Sequence, residues 1–230
     1  MKNTDLSVVL ISWTSSQPDY RINLLKRTLD SLKRCTEIPY TLVVVDNGGK
    51  EQTAFLRTIE PDIHIINKVN VGPGVARNQG GVATDSKYIA FIDNDLRFYS
   101  AWLSDSISIL DKFRDQKFIV VPTQSGPMKQ RLNFLEEAAD YELWRMAAGY
   151  CMVMPRTAFE EVGRWVSSEV HAIEDREWGN RAFSKGWKFF WPRNGSVRHM
   201  GRYKSFDKKK FLVNGVWVTL SHGKVQESTA

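Results

Sequence analysis

The sequence predicts an α/β fold, a mainly parallel sheet flanked by helices and built as a single Rossmann-like domain. Three observations carry that expectation. Short β-branched runs recur from the start of the chain, and each is closed by polar or turn residues. Stretches with apolar residues at helical spacing separate them, and Gly-rich turns mark several junctions. Strand–helix alternation at this pace builds βαβ units, whose parallel strands are covered by their own crossover helices.

The elements follow in order. Leu6–Ser12 is an apolar run ended by polar residues, as expected of a buried strand. Residues 21–34 place Ile22, Leu25, Leu29 and Leu32 on one helical face, with basic residues on the other. Thr41–Val45 reads as a second strand, stopped by the turn signal Asp46-Asn47-Gly48-Gly49. A helix is expected over 50–59, a short strand at His64–Ile66, and a helix through Val75–Ala83 entered from Gly72-Pro73-Gly74. Tyr88–Ile92 is a fourth strand that runs into Asp93-Asn94-Asp95. Beyond it come a helix near 101–114, a strand at Phe118–Val121, a helix over 131–145, and a strand at Gly149–Met154. Pro155–Val162 reads as a short helix ended by Gly163, residues 174–185 as a helix stopping at Gly186, and Trp187–Trp191 as the last core strand. No repeat, low-complexity tract or Pro/Ser-rich linker interrupts the series. The expected division is a domain over 1–200, with halves 1–95 and 96–200, and a basic lid or tail over 201–230.

Composition narrows the function classes. At 230 residues, 42% hydrophobic and 25% charged, the chain has the make-up of an ordinary globular domain with a sizeable core. Aromatic residues reach 12% and include eight Trp, plates suited to stacking on sugars and bases as well as to packing. Cys35 and Cys151 lie far apart and form no metal or redox motif, so a reduced, cytoplasmic setting is expected, with a single disulfide left open. No apolar stretch reads as a signal peptide or a membrane span, so any membrane contact would be peripheral. The net charge of +6 suits a polyanionic partner, nucleic acid included. Arg198, Arg202, Lys204 and Lys208–Lys210 concentrate that charge, either as a solvated segment or as a functional one.

In open α/β sheets the ligand site lies beyond the carboxyl ends of the strands. By this assignment Asp46 and the Asp93/Asp95 pair both sit there. Two carboxylates two residues apart on a turn can share a hard cation, and Mg²⁺ or Mn²⁺ also ligates phosphate oxygens. A D-x-D by itself is short and common in loops; its position after an apolar strand gives it weight.

The run Asn70-Val71-Gly72-Pro73-Gly74-Val75-Ala76-Arg77-Asn78, followed by Tyr88–Asp95, resembles the core signature of inverting family 2 glycosyltransferases of the GT-A fold. Val8–Ser12 and Val43-Val44-Val45-Asp46-Asn47 are similar to that family's nucleotide-binding strands. Gly149–Met154, Phe159–Gly163, Ile173-Glu174-Asp175, Arg181–Gly186, Pro192 and Val197-Arg198-His199 align in order after them, so the resemblance covers roughly residues 6–199.

The resemblance implies a nucleotide-diphosphate sugar donor, a UDP-sugar first, with Mn²⁺ or Mg²⁺ as cofactor. It implies that Asp46 hydrogen-bonds the base, that Ser12 and Trp13 line the base pocket, and that Arg77 lies near base and ribose. Asp93 is expected at the ribose or a metal-bound water, with Asp95 and His199 as metal ligands. Asp175 is the expected general base, taking the proton of the acceptor hydroxyl as it attacks the anomeric carbon. Glu174 reads as a helix-start carboxylate, and Trp178 as either a ligand contact or core. The basic stretch after His199 is expected to close over the diphosphate.

The chain departs from the family pattern at two points. Asn47-Gly48-Gly49 leaves Asp46 without an adjacent acid, so the base is not fixed. No Q-x-x-R-W-type motif is present, which points to addition of single sugars rather than polymer synthesis. The acceptor hydroxyl stays open among a saccharide, a lipid-linked glycan, a protein and a modified nucleic-acid base. The alternative class, a nucleotidyltransferase acting on sugar phosphates, usually carries a Gly-rich basic loop after the first strand, and Ser12–Gln17 has none of that character. A silent binding module would leave Asp93, Asp95, Asp175 and His199 unused.

Overall fold

The computed structural model describes residues 4–13, 18–124, 133–166 and 173–200, and the backbone of three further strands within 209–228. The chain forms two compact units, Met1–Met200 and Gly201–Ala230. The first runs β1 (Leu6–Ser12), α1 (Pro18–Cys35), β2 (Thr41–Asp46), α2 (Lys50–Arg57), β3 (Ile63–Ile66), α3 (Pro73–Gly81), β4 (Tyr88–Asp93) and β5 (Leu96–Phe98). It continues through α4 (Trp102–Lys112), β6 (Phe118–Val120), β7 (Phe134–Glu137), β8 (Tyr141–Trp144), β9 (Cys151–Pro155), α5 (Arg156–Val162), α6 (Ile173–Ser184), β10 (Lys188–Pro192) and β11 (Val197–His199). In the second unit, β12 (Lys209–Val213), β13 (Val216–Ser221) and β14 (Lys224–Ser228) form an antiparallel three-stranded sheet. Arg202, Lys204 and Lys208 of the expected lid lie outside the described residues.

Among the described residues the first unit has a nine-stranded sheet in the order β3-β2-β1-β4-β9-β6-β10-β8-β7. Strands β3, β2, β1 and β4 are mutually parallel, and β6 pairs parallel with β10. Only β9 and β8 run opposite to the other seven. The continuous apolar runs seen in the sequence follow from burial on both faces. Val8 and Leu10 of β1 belong to one core with α1, α2 and α4, through Leu25, Leu29, Leu56, Trp102 and Leu110. Val9 and Ile11 belong to the other, with α3, α5 and α6, through Ala76, Phe159, Val162, Trp178 and Ala182. A slip of one residue in β1 would exchange these faces, so the register is strongly specified.

The expected helix over 131–145 is corrected. Residues 134–144 form the β7–β8 hairpin, closed by the Ala138 N–H donating to the Tyr141 carbonyl at 2.9 Å. Glu136, Glu137, Ala138 and Ala139 are good helix formers, but β8 gains more by pairing with β10. There Tyr141 stacks on Phe190 with ring centroids 4.4 Å apart, and Leu143 and Trp144 enter opposite cores.

Candidate active site

The carboxyl ends of β1, β2 and β4 meet at one cleft of about 250 Å³, whose walls include Trp13, Arg21, Asn47, Asn70, Arg77, Asp93, Asp95, Glu174 and Asp175. The Asp93-Asn94-Asp95 turn that forms its floor is fixed from beneath. The Thr28 hydroxyl of α1 accepts from the Leu96 N–H at 3.0 Å and shares its one proton between the Leu24 carbonyl at 2.9 Å and the Asn94 carbonyl at 3.0 Å. The Asn94 amide donates to the Ser12 hydroxyl at 3.0 Å, and the Asp93 N–H to the Tyr150 carbonyl at 2.9 Å. These bonds tie the turn to α1, β1 and the segment before β9, which limits the conformations open to its two carboxylates.

Arg77 links the two acids that the sequence places farthest apart in role. Its helix, α3, packs closely on the sheet because Gly80 lies against Val9, where a Cβ would collide with the Val9 side chain. The guanidinium is 3% exposed and donates to Asp175 at 2.9 Å and to Asp93 at 3.3 Å. It also lies over the Trp165 ring at 5.9 Å, and Trp165 stacks in turn on Trp178 at 4.3 Å. Trp178 is therefore core rather than ligand contact: it is buried, and its indole N–H donates to the Gly163 carbonyl. Desolvation pulls the Arg77 pKa down, but Asp175, Asp93 and Glu174 outweigh it and leave a net rise. The second Asp175 oxygen accepts the Gly149 N–H at 2.8 Å. A Cβ on Gly149 would collide with Asp175 Oδ1 and come within 2.8 Å of the guanidinium, so only glycine permits this approach.

Asp93 is pushed up to about 6. Burial is the largest cause; Asp95 and Asp175 push the same way, against Arg77 and His199. About a third of its side chain, 32%, still faces the cleft.

One strand register brings the other pair together. β5 pairs antiparallel with β11 so that His199 stands opposite Leu96, next to Asp95, and the Met200 N–H donates to the Asp95 carbonyl at 2.7 Å. His199 Nε2 lies 3.2 Å from Asp95 Oδ1, and Tyr150 packs edge-on against the imidazole. Burial lowers the His199 pKa, but the Asp95 carboxylate outweighs it, so the imidazole is held above its ordinary value. Arg21 approaches the other Asp95 oxygen at 3.9 Å. Adjacent ligands on an octahedral ion with bonds of about 2.0–2.1 Å lie roughly 3.0 Å apart. The 3.2 Å between Asp95 Oδ1 and His199 Nε2 is a hydrogen-bond distance, and it is also compatible with two neighbouring ligands of one Mg²⁺ or Mn²⁺. No group of three or more His, Cys, Asp or Glu is gathered for a metal among the described residues. A small hard cation commonly takes few protein ligands and completes its shell with phosphate oxygens and water.

The β2 end differs from expectation. Asp46 is fully buried and does not line the cleft. Its carboxylate accepts from the Gly48 N–H, the Gln52 amide and the Thr53 hydroxyl, so it ties α2 to the strand end. Ser12 is buried too, its hydroxyl accepting from Asn94. Among the residues singled out in the sequence, the structure brings Trp13, Arg77, Asp93, Asp95 and Asp175 to one cleft, with His199 against Asp95. Sequence reasoning missed Arg21, Asn47 and Asn70 as wall residues. Asn47, directly after Asp46, and Asn70, two residues before Gly72, stand in motifs whose local signal is that of a turn and a glycine. Arg21 carried no signal in one sequence.

Among the described residues, no helix is long and apolar enough to cross a membrane. Residues 20–163 match the model of Glycosyl transferase family 2. Curated relatives include an uncharacterized glycosyltransferase of Rickettsia felis, 29% identical over 141 residues that span 59% of this chain and 22% of the relative. A Rickettsia conorii protein described in the same words matches to the same extent. The chain thus spans less than a quarter of these relatives' length. The crystal structure of GalNAc-T7 with UDP, GalNAc and Mn²⁺ superposes with a TM-score of 0.67 at 15% identity, covering 89% of this chain and 45% of that one. S. aureus TarS 1-349 in complex with UDP-GlcNAc gives 0.66 at 14% identity, covering 87% and 59%. These likenesses establish a shared fold.

Proposed function

This chain belongs to Glycosyl transferase family 2, and from that membership we propose that it moves one sugar from a nucleoside-diphosphate sugar, UDP-linked first, to an acceptor hydroxyl with inversion. The observation that carries this reading is the single buried guanidinium joining Asp93 to Asp175, in the same cleft as the Asp95–His199 pair. That arrangement supports reading Asp175 as the proton acceptor, Asp93 as the ribose contact and Asp95 with His199 as the cation site.

Asp95 and His199 would hold Mn²⁺ or Mg²⁺ beside the donor's diphosphate. The ion, when bound, offsets the charge that develops on the departing nucleotide. Asp175 is the general base. Arg77 and the Gly149 N–H each hold one of its oxygens and fix the plane of the carboxylate, while its remaining lone pairs accept the acceptor's proton. The hydroxyl attacks the anomeric carbon on the side opposite the nucleotide, and no covalent enzyme intermediate is required. Asp93 faces the ribose, and Trp13 offers its ring to the base. Arg77 acts as a positioning residue that keeps the two acids in register with one another.

Incubation of the chain with a panel of nucleotide sugars and Mn²⁺, scored by nucleotide release, tests the reading. Release from at least one donor is expected, lost on chelation. Asp175→Asn should retain donor binding and lose transfer; full transfer by that variant would remove Asp175 as the base.

A further inference from the structure

The layer formed by α1, β5 and β11 carries four arginines on its outer face. β5 lies between the other two elements. Its Leu96 and Phe98 N–H groups donate to the Thr28 and Ser31 hydroxyls of α1 at 3.0 and 3.2 Å, and its other edge pairs with β11. Successive side chains of a strand point to opposite faces. Leu96, Phe98 and Val197 are buried in the core and His199 turns to Asp95, so Arg97 and Arg198 face outward. The register sets these two directly opposite each other. On α1, Arg27 and Arg34 flank Ser31 at i−4 and i+3 and are its neighbours on the helix surface, turned toward solvent. They stand two turns apart, about 10 Å along the axis.

All four arginines are exposed, and none makes an ion pair with another described residue. Asp30 lies between Arg27 and Arg34 on the helix, but it meets Arg34 through its backbone carbonyl, which accepts from Nε at 3.3 Å. Arg97 lies over the Tyr99 ring at 5.5 Å, a contact that favours one placement of its guanidinium. Like charges directly opposite one another weaken strand pairing. The Arg97–Arg198 pair therefore opposes the ribbon it stands on, and an anion laid across it relieves both charges.

We propose that this face binds the phosphate backbone of a nucleic-acid strand through Arg27, Arg34, Arg97 and Arg198. The planar fork of arginine takes two phosphate oxygens at once, and phosphate and sugar receive half or more of the hydrogen bonds in protein–DNA complexes. The net charge of +6 favours such a polyanion. A membrane surface also presents phosphates, but helices that lie on it bury an apolar face there. Among the described residues, none of the large exposed hydrophobics lies on α1, β5 or β11. The arginines occupy the side of the β5–β11 ribbon opposite the His199 imidazole. Binding here requires neither cation nor nucleotide sugar, and it holds whether or not the cleft is the donor site.

Fluorescence anisotropy of a labelled oligothymidylate titrated with the full chain, in chelator and over a salt series, tests this. Four phosphate contacts at about −0.7 each on a single strand give a slope of log K against log salt of about −2.8. Arg97→Gln with Arg198→Gln should weaken binding by about tenfold or more near 0.1 M salt and bring the slope to about −1.4. Arg27→Gln with Arg34→Gln should do the same. Lys26→Gln with Lys33→Gln removes equal charge from the side of α1 turned away from β5, where Lys26 lies over Phe55 of α2, and should leave affinity and slope unchanged. The substituted residues are exposed, so all three double variants should melt near the wild-type temperature. An equal loss in the lysine and arginine variants overturns the proposal, since net charge alone would then account for binding. So does the absence of oligothymidylate binding at about 50 mM salt, or binding to phosphatidylglycerol vesicles with none to the oligonucleotide.

Discussion

Arg77→Met removes the charge that joins the two halves of the cleft and keeps most of the side-chain volume. In the native state the guanidinium is 3% exposed and makes charge-assisted bonds of 2.9 Å to Asp175 and 3.3 Å to Asp93. Bonds of that kind contribute about 1.5–3 kcal/mol each, and breaking a buried pair by removing one partner costs about 3–5 kcal/mol. Asp93 and Asp175 are 32% and 16% exposed, so water relieves part of the stranded charge, and the lower end, about 3 kcal/mol, is expected. For a chain of this size that lowers the main thermal transition by about 6–12 °C. Melting followed by circular dichroism at pH 7.5 measures it. Asp93→Asn in the Arg77→Met background should recover a large part of the loss, because one of the two unpaired carboxylates is gone. A loss below about 0.5 kcal/mol, or an Asp93→Asn effect that is the same with and without Arg77, would refute the clamp.

Asp93 itself gives a pH-dependent outcome. Its folded pKa, about 6, lies above its ordinary value, so its contribution to stability is full at low pH and is lost as pH rises through about 6. Asp93→Asn should therefore be more stable than wild type at pH 7.5 by roughly 1 kcal/mol, discounted for the exposed third of the side chain, with the difference shrinking toward pH 5 in parallel melts. Gly149→Ala drives a methyl into Asp175 Oδ1, well inside van der Waals contact. A displacement on the order of 1 Å should lower turnover about 10²-fold, with donor affinity changed much less, read as kcat against nucleotide Kd. His199→Ala should weaken Mn²⁺-dependent nucleotide binding by at least about tenfold, with little effect on binding measured in chelator.

The sheet was legible because burial on both faces leaves unbroken apolar runs: Val8 through Ile11 and Ile89 through Ile92 read directly as strands. The β7–β8 hairpin was not, since Glu136, Glu137, Ala138 and Ala139 favour a helix locally and only pairing with β10 decides otherwise. In the site, the acids were legible by type and by position at strand ends. What they bind was less so. Arg77 was expected at the nucleotide; it lines the cleft, and the partners it meets there, Asp93 and Asp175, were not legible. Asp46 was expected at the base, yet Gln52 and Thr53, one turn into α2, take both of its oxygens. Long-range pairings of this kind leave no periodic trace in one sequence. The hydrogen-bonded amides of Gln79, Asn67, Asn47 and Asn70 are of the same sort, since they become neighbours only when β3 and α3 are laid beside β2.

The most direct test of the donor site is calorimetric titration of UDP into wild type and Asp95→Ala, with Mn²⁺ and again with chelator. Wild type is expected to bind UDP with Mn²⁺ at least about tenfold more tightly than without it, and Asp95→Ala to lose this gain. Equal UDP affinity in all four titrations would contradict it.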